Sequence, residues 1–451
     1  MSVSISGDGS VTGIDQGLNV VGVLTASGGF SGNLTGNINA TGVSTIATLN
    51  VTQSNPTNLN VSGVTTTATL RATSIVGVTT AGITTAYIGS VNDGPISGAR
   101  NRIINGDMRI DQRNAGVSTV VSTAGSGGYT LDRWNCVELT DGVATVIRSG
   151  TAPVGFTSSL LWTTTTADAS LAATQYCGIS HFIEGFNISD LSWGTANAVP
   201  VTLSFWVRSS LTGTFGGAIR NPAGTRSYPF TYTISSANTF EYKTITIPGD
   251  TSGTYLTDNS AGIQIHFSLG TGSNFTGTAG SWAAANYIAA TSENAPVIGT
   301  LNATWYLTGV QLEPGTVATP FERRSYGQEL ALCQRYCYVL SGSLQFNGSG
   351  YSRYFLHTNS ASGALSYITF PVQMRSTPTL VQKNIAFGST IESFNYATAL
   401  AMNFTTITLA EGDVWHSQLT FSGASGLTGA QIGSWRWTNV PDAYIGFSAE
   451  L

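Results

Sequence analysis

Between residues 129 and 325 apolar and polar side chains alternate in short runs, with turn residues returning roughly every 10 positions. In Val201 to Arg208 (VTLSFWVR), Val201, Leu203, Phe205 and Val207 fall on one face and Thr202, Ser204, Trp206 and Arg208 on the other. A period of two predicts a strand with one side in a core. Tyr242 to Ile247, Ile263 to Leu269 and Thr304 to Leu312 repeat the pattern. In Ile263 to Leu269, Ile263, Ile265, Phe267 and Leu269 face inward and leave Gln264, His266 and Ser268 opposite. Strands at this spacing predict a jelly-roll-like β-sandwich over 100–324.

The period then changes. From Ser325 to Val339, Tyr326, Leu330, Cys333 and Cys337 recur three or four apart, which predicts a connecting helix over 325–340. Its stripe reads two ways, as the lining of a three-fold axis or as a face docked on its own sandwich. Beyond it, 351–357, 366–372, 405–409 and 418–421 read as strands of a β-rich block over 341–451.

Residues 1–99 have a different character. They hold four charged residues (Asp8, Asp15, Arg71 and Asp93), two aromatics, 16 glycines and 17 threonines. So little apolar bulk cannot offset a backbone-ordering cost of about 1 to 2 kcal/mol per residue in a lone chain. Gly-Val-x-Thr units begin at Gly22, Gly42, Gly63 and Gly77, separated by 20, 21 and 14 residues, with alternating Leu, Ile and Val between them. Three copies wound about one axis would pair each other's edges and cover that apolar face, so the stretch predicts an intertwined trimeric β-shaft. A disordered Gly/Ser/Thr linker is the alternative. The whole chain is thus expected to be an all-β, elongated homotrimer.

Composition narrows the function. The 18 Lys and Arg and 23 Asp and Glu make up 9% of 451 residues, and the net charge is -5. Such a chain lacks the basic footprint of a nucleic-acid binder. No run of about 18 apolar residues is present to cross a membrane. The opening MSVSISGDGS has neither the positive nor the apolar region of a secretory signal. Four cysteines do not make a disulfide scaffold; they read as reduced core residues, with the state of Cys136 and Cys177 left open.

Candidate chemistry is that of binding. His181, His266, His357 and His416 stand alone, without zinc spacing, and GDGS at Gly7 to Ser10 reads as a turn. No cofactor and no catalytic residue is therefore expected. The carboxylates of the middle block are scattered, and Glu313 and Glu322 read as turn and cap acceptors. Sugars offer apolar C–H faces ringed by hydroxyls, so their sites need flat aromatic rings beside amide, imidazole or guanidinium groups. Trp206 and Arg208 with Gln264 and His266 fit that description if they lie on neighbouring strands of one sheet. Trp415, His416, Trp435 and Trp437 form a second candidate cluster, with Tyr351 and Tyr354 in reserve. The competing reading of each tryptophan is core packing.

Three segments carry a resemblance to a known family. NRIINGDM (Asn101 to Met108), the GVQLEPG, ATPFE and CQRY elements between Gly309 and Tyr336, and FPVQMRSTPT (Phe370 to Thr379) resemble bacteriophage tail fibre and tailspike-like receptor-binding proteins, notably those of marine and cyanobacterial phages. The middle block is similar to carbohydrate-binding jelly rolls. The resemblance implies a homotrimeric virion protein, assembled in the host cytoplasm. Its N-terminus would join other tail or baseplate proteins, or the capsid, and its C-terminal domains would adsorb to host surface polysaccharide. A head-attached fibre or capsid decoration protein is the first alternative and a polysaccharide-cleaving tailspike the second. Cleavage would need two carboxylates about 5 to 9.5 Å apart, which spacing in the sequence does not reveal.

Overall fold

The computed structural model describes residues 100–122, 128–341, 355–360, 362–383, 391–395, 401–424, 432–437 and 444–451, all within the unit Thr84–Leu451. The expected shaft, 1–99, lies outside them.

The alternating runs become strands. In chain order they are β1 (Thr119–Ser122), β2 (Gly128–Leu131), β3 (Trp134–Glu138), β4 (Val143–Ser149), β5 (Ser159–Thr166), β6 (Tyr176–Glu184), β7 (Val201–Ser209), β8 (Gly213–Arg220), β9 (Ser227–Ile234), β10 (Glu241–Ile247), β11 (Ala261–Thr271), β12 (Thr276–Gly277), β13 (Ala289–Ala290) and β14 (Thr304–Pro314). Two six-stranded sheets result, β1-β4-β5-β14-β7-β10 and β2-β3-β6-β11-β8-β9. The chain passes repeatedly from one sheet to the other, as in a jelly roll.

Between the sheets the inward residues meet. Val201, Leu203, Phe205 and Val207 of the first sheet and Ile263, Ile265, Phe267 and Leu269 of the second are fully buried. Phe205 and Phe267 join the sheets edge to face at 5.1 Å between centroids. Trp305 is wholly buried and its Nε1 donates to Tyr232 Oη at 3.2 Å, so its one polar atom is satisfied in the core. Each such ring contributes roughly 2 to 3 kcal/mol through the area it removes from water.

Residues 101–116 form no strand, yet much of the segment is buried. Side chains take over the hydrogen bonding that a ladder would supply. The Asn101 Oδ1 accepts from Ile103 N at 2.9 Å and from Leu312 N at 3.1 Å, while its Nδ2 donates to Val310 O at 3.1 Å. Asn105, at φ 58°, donates through Nδ2 to the carbonyls of Ile110 and Asp132. Gly106 follows because a Cβ there would stand 2.2 Å from Val310 O.

Helix α1 (Tyr326–Gln334) clamps this segment from the other side. Ser325 and Gln328 close a capping box, and Glu329 accepts from Asn105 N at 2.5 Å. The helix is shorter than expected: Cys337 opens strand β15 (Cys337–Ser341) and pairs with Ser448. After Gln334 the run Tyr336, Cys337, Tyr338, Val339 favours extended backbone, and an available strand edge draws it in. Cys333 packs with Ile104, Ile110 and Tyr336, while Tyr326 is exposed, so the stripe docks on its own chain. Cys136, Cys177, Cys333 and Cys337 are all buried and free.

The last block adds β16 (Phe355–Thr358), β17 (Gly363–Thr369), β18 (Thr379–Lys383), β19 (Ile391–Asn395), β20 (Ala401–Asn403), β21 (Thr406–Gly412), β22 (His416–Ser422), β23 (Ile432–Trp437) and β24 (Tyr444–Ser448). They form sheets β15-β24-β18 and β20-β19-β23-β16-β17-β22-β21 around Leu356, Ile368, Phe404, Leu419, Phe421 and Phe447. The expected strand at 351–357 is seen only as β16, since 351–354 lie outside the described residues.

Candidate functional site

The polar side of β7 is the outer face of the first sheet. There Trp206 stands opposite Tyr242 of β10 and Thr308 of β14, and Arg208 stands opposite Tyr306. The rings of Trp206 and Tyr242 are 5.4 Å apart and tilted by 45°. A β-bulge between Thr308 and Gln311 brings in Gly309 at φ 62°. A Cβ at Gly309 would lie 2.7 Å from Phe156 Cζ and 3.0 Å from Trp206 Cδ1, so the missing side chain is what lets those two rings close in.

After Glu313 the chain folds back across this face. Glu313 accepts from Thr319 N at 2.8 Å and from Thr319 Oγ1 at 2.6 Å, and Gln311 Oε1 accepts from Glu322 N at 2.7 Å. Glu322 Oε2 in turn accepts from Asn101 N at 2.7 Å. Both carboxylates thus hold the returning strap, the turn-and-cap role expected of them.

Between strap and sheet lies a groove of about 480 Å³ whose walls include Phe156, Ser204, Trp206, Tyr242, Phe321 and Arg323. Phe156 and Phe321 meet edge to face at 5.2 Å, and the Arg323 guanidinium lies 4.7 Å from the centre of the Phe156 ring. Tyr242 is 44% exposed and Trp206 is half-buried, so both offer ring surface to solvent. The groove combines flat apolar rings with hydroxyl and guanidinium donors, the chemistry a sugar needs.

Gln264 and His266 are elsewhere. Their strand, β11, belongs to the second sheet, so they look away from Trp206 and Arg208 across the full thickness of the core. The expected grouping of the four on one sheet is therefore corrected. Alternation along a strand identifies its outward face but not the sheet that takes it. Both residues are buried, and the segment after β11 folds back over part of their face through Asn286, which accepts from Arg220. Arg220 Nε donates to Gln264 Oε1 at 2.9 Å, Gln264 Nε2 to Ser180 Oγ at 3.0 Å, and Ser180 Oγ meets His266 Nδ1 at 2.8 Å. Burial, aided by the Arg220 charge, pushes His266 down to about 3, so its ring is neutral at pH 7. Nearby Glu293 is half-buried as a residue but its Oε2 is shut from solvent, and burial pushes its carboxyl up to about 7 despite a hydrogen bond from Ser268.

The tip candidates are not one cluster. Trp415 is 47% exposed on the turn before β22, where Asp413 Oδ1 accepts from Trp415 N at 2.6 Å and from His416 N at 2.8 Å. His416 is exposed and shares an open face with Tyr367. Trp435 and Trp437 sit in β23, opposite Ser393 and Ile391. Two strands, β16 and β17, separate β23 from β22, a span of roughly 14 Å. Tyr351 and Tyr354 lie outside the described residues.

Sequence reasoning missed Phe156, Tyr242, Phe321 and Arg323 as groove residues. Tyr242 carried a signal, because it alternates with Glu241 and Lys243 in a strand. Phe156 carried none, being a loop residue delivered by the fold. Among the described residues there is no cluster of His, Cys, Asp and Glu able to hold a metal, and no helix long and apolar enough to cross a membrane.

No family model matches the chain, and no curated protein matches it. Among solved structures it is similar to the enzymatically active domain of tailspike protein 4 of bacteriophage CBA120, at 13% identity and a TM-score of 0.25 over 48% of this chain and 21% of that one. It is also similar to TmCBM61 in complex with beta-1,4-galactotriose, at 10% identity and a TM-score of 0.24 over 48% of this chain and 99% of that one. A third similar structure is a family 11 carbohydrate-binding module from Clostridium thermocellum in complex with a mixed-linked tetrasaccharide, at 12% identity and a TM-score of 0.22 over 46% and 100% of the two chains. The chain thus spans about a fifth of the tailspike domain. At TM-scores this low no functional argument rests on these likenesses, and the sandwich assignment rests on the strand order itself.

Proposed function

We propose that the chain is a non-enzymatic glycan-binding protein, the receptor-binding part of a homotrimeric phage tail fibre, and that its sandwich takes host surface polysaccharide into the groove beside Trp206. The observation that carries the binding reading is the open pairing of Trp206 with Tyr242 beneath the strap. The ten residues lining the groove include no Asp or Glu, whereas glycosidic hydrolysis uses two carboxylates, which favours binding over cleavage there. The tail-fibre role rests on the NRIINGDM, GVQLEPG and FPVQMRSTPT segments, with 1–99 as shaft and particle anchor. Each groove would bind weakly, and three on one shaft would raise the effective affinity without new contacts.

A glycan array probed with the full chain, Trp206→Ala and Trp435→Ala tests the site. Loss of binding in Trp206→Ala alone is expected, and unchanged binding in that variant contradicts the assignment. Release of reducing ends from host polysaccharide would instead establish cleavage. Sedimentation at the mass of a trimer is expected, and a monomer would remove the fibre reading.

A further inference from the structure

One cation lines the groove and a second lies beside it on the same sheet face, and neither has a carboxylate partner among the described residues. Arg323 forms the groove wall, stacked 4.7 Å from the Phe156 ring centre and 5.7 Å from that of Phe321, and its Nη2 donates to Gly155 O at 2.5 Å. It makes no ion pair among the described residues. Arg208, two positions along β7 from Trp206 and on the same face, lies about 7 Å further along the strand. Its guanidinium rests 4.9 Å from the Tyr306 ring centre, it too makes no ion pair among the described residues, and its buried Nε has no hydrogen-bond partner. Glu313 lies beneath the strap with both oxygens occupied by Thr319, and so is not offered to a ligand. Among the described residues most cations are paired, for example Arg226 with Asp250, Arg335 with Glu184 and Arg133 with Glu450. A guanidinium held against aromatic rings without a carboxylate presents its remaining N–H donors as a flat fork suited to carboxylate or sulfate oxygens.

We propose that the groove selects an acidic glycan, with Trp206 and Tyr242 stacking on the sugar ring and Arg323 and Arg208 binding its carboxylate or sulfate groups. This rests on the glycan-binding reading above and adds the ligand's charge class. One anionic group on one guanidinium is expected to give about five- to tenfold in affinity, reduced by salt.

The test titrates the full chain with matched polysaccharides: polygalacturonate and its carboxyl-reduced form, alginate and its carboxyl-reduced form, and a sulfated galactan and its desulfated form. At least one acidic member is expected to bind at least fivefold tighter than its neutral partner. Arg323→Gln and Arg208→Gln should weaken binding of the acidic members more than that of the neutral ones and so remove the preference, whereas Trp206→Ala should weaken both alike. Equal or better binding of the neutral members, or a preference that survives both arginine substitutions, overturns the acidic-glycan assignment and leaves the glycan reading standing. Binding of none of the six overturns both.

Discussion

The two outer faces of the sandwich start from the same pattern and end differently. β7 and β11 each place a polar row carrying a ring outward, Trp206 with Arg208 in one and His266 with Gln264 in the other. On the first sheet the strap after Glu313 stops short of closing and leaves a groove lined by Trp206 and Tyr242. On the second, Arg220, Gln264, Ser180 and His266 are linked by hydrogen bonds in one row that runs into buried surroundings. A polar strand face is therefore not yet a site; the connecting segments decide whether its rings meet water or each other.

The largest effect should come from the layer beneath both faces. Trp305→Ala removes a wholly buried ring and its hydrogen bond to Tyr232, and should cost about 3 to 5 kcal/mol by thermal or urea unfolding. If unfolding stays cooperative and both faces fail together, the core is shared. Next comes Gly309→Val. A β-branched residue at φ 62° is strained by about 1 to 3 kcal/mol, and its side chain would push Phe156 and Trp206 apart. It should lower stability and remove groove binding together.

A sharper contrast separates the faces. Trp206→Ala should weaken glycan binding at least tenfold, about 1.4 kcal/mol, with a melting temperature near that of the parent. His266→Ala, which strips the buried row of a partner, should instead cost about 1 to 3 kcal/mol of stability and leave binding unchanged. Reversal of these two outcomes, by calorimetry on each variant, would break the comparison.

The two faces also differ in how they respond to pH. His266 falls to about 3 on folding, so the unfolded state takes up its proton first, and the stability present above about 6.5 is lost as pH drops toward 3. Glu293 rises to about 7, so the stability present below about 4.5 is lost as pH climbs through 7. Between about 4.5 and 6.5 these slopes oppose. Glu293→Gln should leave the His266 branch alone, so in urea titrations stability should rise more steeply, or fall less, across that window than in the parent. A variant profile parallel to the parent's would contradict the assignment.

Much of the architecture was legible because period two is a direct imprint of a half-buried strand: Val201, Leu203, Phe205 and Val207 needed no other information. Helix length was not legible, because Cys337 to Val339 continues a helical stripe yet pairs with β24, a partner more than 100 residues away. The motifs NRIINGDM and GVQLEPG stood out in the sequence, and Asn101, Asn105, Gly106 and Glu313 prove to be the fastening of the strap and its neighbours. Their fixed chemistry comes from backbone contacts. The groove was half legible: Trp206 was read from its strand, whereas Phe156 and Arg323 reach it through loops that no local pattern foretells.

The most direct measurement is carbene footprinting of the full chain with and without a bound glycan, read residue by residue. The account predicts protection of Trp206, Tyr242 and Phe321, with Trp415 and Tyr367 at the tip unchanged. Protection confined to Trp415 and Tyr367, with the groove equally labelled in both states, would contradict it.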